Sequence, residues 1–315
     1  MKTLNLVDLN KSDIKYQIQK FPDGQQQVKI LGETSVSYEP SISWNTINNP
    51  IQIKSRLNNF KDLELIICTT KSLRELGVKE IHLYTPYFLG SRSDRKFEEG
   101  SNNYLKDVIC PIINSLNFES VTVLDPHSDV LEACIKGFRK ESNISLINFT
   151  INSLIPHHPV ESKLIPHALS QRFILVSPDA GASKKIYKLA EQIGYKGDVI
   201  TCSKERNTEG KLTRIIVPIK MELGNQKQFK KDFIIVDDIC DEGAAFINIA
   251  KEIKNSQFKT SKIYLIVTHG IFSKGFTELN KYFDGIYCTN SYQESPDFKG
   301  NNLRPVNLLK QLNLF

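Results

Sequence analysis

No apolar run in the 315-residue sequence approaches the roughly 18 residues that a membrane helix needs, so no membrane span is expected. The first residues, MKTLNLVDLNKSD, lack the apolar stretch and small-residue cleavage site of a signal peptide, and a cytoplasmic location is expected. Cysteines are few: the six, at 68, 110, 134, 202, 240 and 288, include no pair with the short spacing of a zinc knuckle or a redox motif. Reduced, buried thiols are the expected state. Low-complexity segments are absent. So is a dense Lys/Arg stripe with interleaved aromatics, and the net charge of +6 is spread among alternating acidic and basic residues. That excludes nucleic acid as the expected partner and leaves a mildly basic surface with a pocket for polyanionic ligands.

What is present is an alternation of short β-branched runs with stretches of helical periodicity. At this length two α/β domains are the natural expectation, with boundaries at 1–150 and 151–315. The runs EIHLYTPY (80–87), SVTVLD (120–125), FILVSPD (173–179), FIIVDD (233–238) and IYLIVTHG (263–270) read as buried parallel strands. Each ends in a polar or Gly-containing turn, and open parallel sheets bind ligands outside the carboxyl ends of their strands. FKDLELIICTTKSLRELG reads as a helix stopped at Gly77, and AAFINIAKEIKN as a helix directly after FIIVDD. The turn-rich stretch 140–170 reads as the domain junction. The segment 207–230 reads as a mobile flap or, equally, as a β-hairpin.

The strongest local signal is FIIVDDICDEGAAF. An apolar strand delivers Asp237 and Asp238 to its end, and a tight turn through Gly243 opens a helix. Two adjacent carboxylates are costly to desolvate unless a cation or a hydroxyl-rich group meets them. A sugar diol or a hydrated Mg²⁺ would serve, and the amides of the turn can hold a phosphate. Taken alone, the Asp pair can equally be a helix cap.

Five ordered segments make the signal specific. VDDICDEGAAF resembles the sugar-phosphate loop VDDIIDTGGT of the ribose-phosphate pyrophosphokinase family. PYFLGSRSDRK (86–96) resembles its PYxxYARQDRK, LDPHSD (124–129) its DLHADQ, and VSPDAGASKK (176–185) its VSPDAGGxKR. THGIFSKG (268–275) with CTNS (288–291) resembles its THGLFS and VTNT. The resemblance covers nearly the whole chain. It implies two phosphoribosyltransferase-type, Rossmann-like α/β domains with mainly parallel sheets, related by pseudo-symmetry. It also implies a homo-oligomer, dimer or hexamer, using ATP and Mg²⁺.

Carried over by position, Phe21 and Asp23 of FPDGQ match FSDGE, which reaches a neighbouring subunit's ATP site; Gln25 replaces its Glu. Arg92, Asp94, Arg95 and Lys96 match the ATP-binding segment, with Ser93 replacing a Gln. His127 and Asp179 match residues placed at Mg²⁺ and the triphosphate, and Lys204 and Arg206 of SKER match the catalytic flexible loop. Asp237 and Asp238 match the pair that holds the ribose hydroxyls. The implied reaction has the anomeric hydroxyl attack the β-phosphorus of Mg-ATP in line, with AMP leaving while Lys204 and Arg206 neutralise the developing charge. His157, His158 and His167 have no partner spacing and are left unassigned; Cys240 reads as a small apolar filler.

The pattern breaks at Asp241, Glu242, Gly243, Ala244 and Ala245, where DTGGT becomes DEGAA. Two hydroxyl donors to a 5-phosphate are gone and a carboxylate has appeared. Each lost hydrogen bond to a charged group is worth about 1.5–3 kcal/mol. On this ground ADP-ribose, whose proximal phosphate is a monoanionic diester, ranks above ribose 5-phosphate as acceptor, its product being a possible precursor for rebuilding NAD. A non-catalytic regulatory paralogue ranks below both, because Lys204, Arg206, His127, Asp179 and both loop aspartates are all kept.

Overall fold

The computed structural model describes residues 1–33, 49–155, 165–206, 212–219, 231–294 and 309–315. The chain divides into two units, one of Met1–Ser142 with Leu314–Phe315 and one of Asn143–Asn313. Among the described residues no helix is long and apolar enough to cross a membrane.

In the first unit, β1 (Lys2–Asn5), β4 (Ile51–Lys54), β5 (Ile81–Tyr84), β6 (Ser120–Leu124) and β7 (Phe138–Glu141) form a parallel sheet in that order. β2 (Ile14–Lys20) and β3 (Gln26–Glu33) form a separate antiparallel hairpin. The helix Phe60–Glu75 joins β4 to β5. Its N-cap Asn59 accepts from the Lys61 and Asp62 amides, and the chain leaves it through Gly77 at φ 90°. The hairpin fastens to this helix by Ser72 Oγ donating to the Val28 carbonyl (2.9 Å) and the Gln26 amide donating to Glu64 (3.1 Å). The last residue returns to this unit, where the Phe315 ring meets Tyr84 edge-on at 6.4 Å.

In the second unit the sheet order is β15 (Leu309–Leu312), β14 (Gly285–Thr289), β13 (Ile263–Gly270), β12 (Asp232–Cys240), β8 (Phe173–Ser177) and β9 (Val199–Thr201), all parallel. β8 and β13 are buried at every position, because strands covered on both faces read as unbroken apolar runs. The pleat sorts their side chains between two cores. Ile174, Val176, Phe233, Ile235, Ile263 and Leu265 pack with Phe246, Ile249 and Ile253 of the helix Ala244–Lys254. Phe173, Leu175, Ile234, Val236, Tyr264 and Ile266 face the other way, onto Ile186 and Leu189 of the helix Ala180–Gln192 and Leu146, Ile147 and Ile151 of the helix Ile144–Leu154.

The five runs expected as strands are strands. The stretch 140–170, expected as the domain junction, does contain the division at Ser142/Asn143, but it also carries the helices Ile144–Leu154 and Ile165–Arg172, because its short apolar runs bury Leu146, Ile147, Ile151 and Leu169 in the second unit's core; its residues 156–164 lie outside the described residues. Of the segment 207–230, the described part includes β11 (Leu212–Ile216), paired antiparallel with β10 (Ser203–Arg206); residues 207–211 and 220–230 lie outside the description.

Burial pushes the phenols of Tyr16 and Tyr264 up to about 12, those of Tyr84 and Tyr195 up as well, and the thiols of Cys110 and Cys288 to about 12. These groups ionise in the unfolded chain near their ordinary values of 10.0 and 9.0 while the fold keeps them protonated. Their contribution is therefore full below the unfolded value and lost as pH rises past it. The thermal midpoint, followed by circular dichroism, is expected to fall steadily above about pH 9.

Candidate active site

The two crossovers at the centre of the second sheet run in opposite directions. From β8 the chain passes through the helix Ala180–Gln192 to β9 at the edge; from β12 it passes through the helix Ala244–Lys254 to β13 on the other side. Crossovers share one hand, so opposite directions put the two helices on opposite faces and open a crevice between the carboxyl ends of β8 and β12. Asp179 follows β8 there, and Asp237 and Asp238 are the sixth and seventh residues of β12.

Asp179 is the N-cap of its helix: its Oδ1 accepts from the Ala182 amide (2.9 Å) and its Oδ2 from Lys204 Nζ (2.5 Å). Burial alone would push this carboxyl up, but Lys204 and the helix amides hold it below the ordinary carboxylate value. Lys204 comes from β10, so one ion pair ties the β10–β11 hairpin to the sheet end. Asp238 is buried, with Oδ2 at 2.6 Å from Lys185 Nζ, and its amide donates to Asp237 Oδ1 (2.9 Å). Asp237 is pushed well above the usual carboxylate range, by burial first and by the adjacent Asp238 second. A ligand that donates hydroxyls or brings positive charge relieves both causes.

β12 continues past the two aspartates to Cys240, which pairs with Gly270 of β13. The Ile271 and Phe272 amides donate to the Cys240 carbonyl (2.9 and 3.1 Å), so the turn after β13 is fastened beside the DEGAA turn. Gly270 has no side chain for a reason: a Cβ there would lie 2.2 Å from the Phe272 ring. Behind it, His269 Nδ1 lies 2.8 Å from Ser291 Oγ, and Thr289 Oγ1 donates to the Thr268 carbonyl (2.6 Å). THGIFSKG and CTNS therefore meet as a buried polar fastening of the strand ends.

In the turn itself Ser273 Oγ donates to Asp241 Oδ1 (2.5 Å), and Glu242 lies 3.9 Å from Lys274 with side-chain exposures of 61% and 69%. Gly243 adopts φ 81° as N-cap of the helix Ala244–Lys254, whose first turn presents the Ala244 and Ala245 amides. Such a helix start attracts phosphate through its amides and dipole without any side-chain hydroxyl. A Gly243→Ala variant must hold a Cβ at positive φ and 2.9 Å from Leu279 Cδ2. It is expected to lose about 1–2 kcal/mol, read as a lower midpoint in chemical denaturation. Cys240 is fully buried and its thiol is pushed up by burial, so it packs as a protonated thiol.

The first unit brings a second set together. β5 and β6 are neighbours, and their exits stay joined: the Thr85 amide donates to Thr122 and the Leu124 amide to Pro86. Arg92–Lys96 follow β5 in an irregular turn where Asn103 Nδ2 donates to the Asp94 carbonyl (2.6 Å) and the Leu105 amide to the Ser93 carbonyl (3.1 Å). Arg92, Arg95 and Lys96 are exposed, with the Arg95 guanidinium 5.5 Å from the Phe97 ring. His127 is exposed after β6, beyond Asp125, which is buried at φ 41° immediately before Pro126. Phe21, Asp23 and Gln25 form the tip of the β2–β3 hairpin, with Asp23 accepting from the Gln25 amide and side chain; the Phe21 ring is 37% exposed.

Lys185, Ser273, Lys274 and Asp125 escaped the sequence reading, although all four stand inside quoted motifs; only the fold shows the partners of the first three. Arg206 ends β10. His157 and His158 lie outside the described residues, and His167 is exposed against Gln171. No three His, Cys, Asp or Glu side chains among the described residues form a metal cage. One ionised Asp179 carboxylate suits Mg²⁺ all the same, since that ion binds through one or two carboxylates together with substrate phosphates.

Strand order, parallel sheets and the crevice define an α/β chain built from two phosphoribosyltransferase-type units. A crystal structure of phosphoribosylpyrophosphate synthetase from Mycobacterium smegmatis shares this fold, with a TM-score of 0.70 over 97% of this chain and 88% of that one at 16% identity. In sequence the chain is similar to the ribose-phosphate pyrophosphokinase of Saccharolobus solfataricus, 25% identical over 82% of this chain and 78% of the relative. It is also similar to that of Thermosipho africanus, 26% identical over 92% and 83%. No protein-family model matches.

Proposed function

We propose that the chain is a ribose-phosphate pyrophosphokinase that transfers the β,γ-diphosphate of Mg-ATP to the anomeric hydroxyl of ribose 5-phosphate and releases AMP. The observation that carries this reading is the gathering of Asp179, Lys204, Asp237 and Asp238 at one sheet end beside a helix start. In this reading Asp237 and Asp238 receive the sugar hydroxyls, and the turn Asp241–Ala245 receives the 5-phosphate through its amides. Arg92, Ser93, Asp94, Arg95 and Lys96 bind ATP. Lys204 and Arg206 neutralise charge on the transferring group. Asp179 and His127 are each read as a group that meets Mg²⁺ or the triphosphate; Mg²⁺ would supply neutralisation of the phosphate oxygens. Phe21, Asp23 and Gln25, on an exposed hairpin tip, reach a neighbouring subunit in a homo-oligomer.

The order of acceptors expected from the sequence is reversed. ADP-ribose ranked first because Glu242 would repel a dianionic phosphate and two hydroxyls are missing. The similar chains are named for ribose phosphate, and Glu242 is largely exposed beside Lys274, where solvent and that cation weaken its field. The test is AMP release from Mg-ATP with ribose 5-phosphate and ADP-ribose offered separately, and mass spectrometry of the product. AMP with ribose 5-phosphate is expected. AMP with ADP-ribose alone would restore the earlier order, and none with either sugar would make the chain a non-catalytic paralogue.

A further inference from the structure

We infer that Lys185 is a positioning residue for the sugar, acting through Asp238; this rests on the reading of Asp237 and Asp238 as the carboxylates that meet the sugar hydroxyls. Three carboxylates converge on the crevice, and each has its own partner. Asp179 takes Lys204, Asp237 takes the Asp238 amide, and Asp238 takes Lys185 at 2.6 Å. The Lys185 side chain is 34% exposed and that of Asp238 7%, so the lysine reaches inward from the water-facing edge of its helix to a buried anion. A buried carboxylate without a paired cation is strongly disfavoured and takes up a proton instead.

Only the ionised form accepts from a sugar hydroxyl with both oxygens. The Lys185 contact therefore keeps Asp238 charged and fixes its Oδ2 in one orientation. Geometry also separates the two lysines. Lys204 belongs to the two-stranded β10–β11 hairpin, whereas Lys185 stands on the helix Ala180–Gln192, packed in the core through Ile186 and Leu189. A rigid element suits a group that orients, and a hairpin suits one that joins the transferring phosphate.

The test compares the wild type with Lys185→Met, Lys185→Arg, Asp238→Asn and the double variant Lys185→Met/Asp238→Asn. Readouts are KM for each substrate, kcat, and ribose 5-phosphate affinity by titration calorimetry. For Lys185→Met, KM for ribose 5-phosphate is expected to rise about tenfold to a hundredfold, the range for losing a charge-assisted bond, with KM for ATP nearly unchanged. Lys185→Arg should recover most of the loss. The double variant, which removes both charges and so keeps the buried site neutral, should bind ribose 5-phosphate no more weakly than Asp238→Asn alone. Additive losses, or a loss confined to ATP, would mean that Lys185 touches phosphate directly and overturn the inference, as would an unchanged sugar KM in Lys185→Met. A wild type that neither releases AMP with ribose 5-phosphate nor binds it would overturn the proposed function, and this inference with it.

Discussion

Lys204→Ala is expected to lower kcat for AMP release by about a hundredfold to a thousandfold, the usual effect of removing one preorganised group from developing charge. The fold should survive, because Lys204 is itself in neither core and its hairpin keeps its packing through Ile215. Its loss leaves Asp179 without the cation that holds that carboxyl low. A depressed carboxyl contributes stability above its unfolded value of 3.8 and loses it as pH falls through the folded value. The variant should therefore melt slightly below the wild type at neutral pH, and the gap should close in acid. Steady-state AMP release with thermal melts at several pH values checks both parts. Retained turnover would remove Lys204 from the proposed chemistry.

Asp237→Asn is expected to act on activity and stability with opposite signs. Without the carboxylate one sugar hydroxyl loses a charged acceptor, and kcat/KM for ribose 5-phosphate should fall at least about tenfold, since such bonds are worth about 1.5–3 kcal/mol. The unliganded protein should become more stable at pH 8. Burial and Asp238 raise the Asp237 carboxyl to about 8, so the fold pays for its ionisation. Stability that is full below the unfolded value of 3.8 is lost progressively as pH rises through the folded value. An amide neither titrates nor repels Asp238. The wild-type midpoint should decline between these two values relative to the variant, and the two curves should be closest in acid. A variant less stable than the wild type at pH 8 would show that Asp237 is already satisfied without ligand.

Much of this was legible in the amino-acid order. Strands buried on both faces are written as unbroken apolar runs, so FILVS and IYLIVTHG could be placed from the sequence, and Asp179, Asp237 and Asp238 stand at the ends of such runs because a parallel sheet puts its polar turns there. Gly77 and Gly243 mark helix ends because positive φ costs glycine little. The stretch 140–170 marked the junction, where the division falls at Ser142/Asn143, but its turn formers hid the helices whose apolar stripe only the second core completes.

Long-range pairing was not legible at all. That Lys185 meets Asp238 and Lys204 meets Asp179 depends on strand order, which puts β8 beside β12 across an intervening stretch of chain and sends their helices to opposite faces. Local composition carries no record of that order. The same holds for Glu242. As a letter it announced repulsion of a phosphate, but its effect depends on where its side chain ends, and the tertiary structure places it in solvent beside Lys274 while the helix start supplies the amides. Sequence determined which chemical groups stand at the strand ends; the fold decided which of them share a field, because electrostatic effects depend on distance and burial rather than on position along the chain.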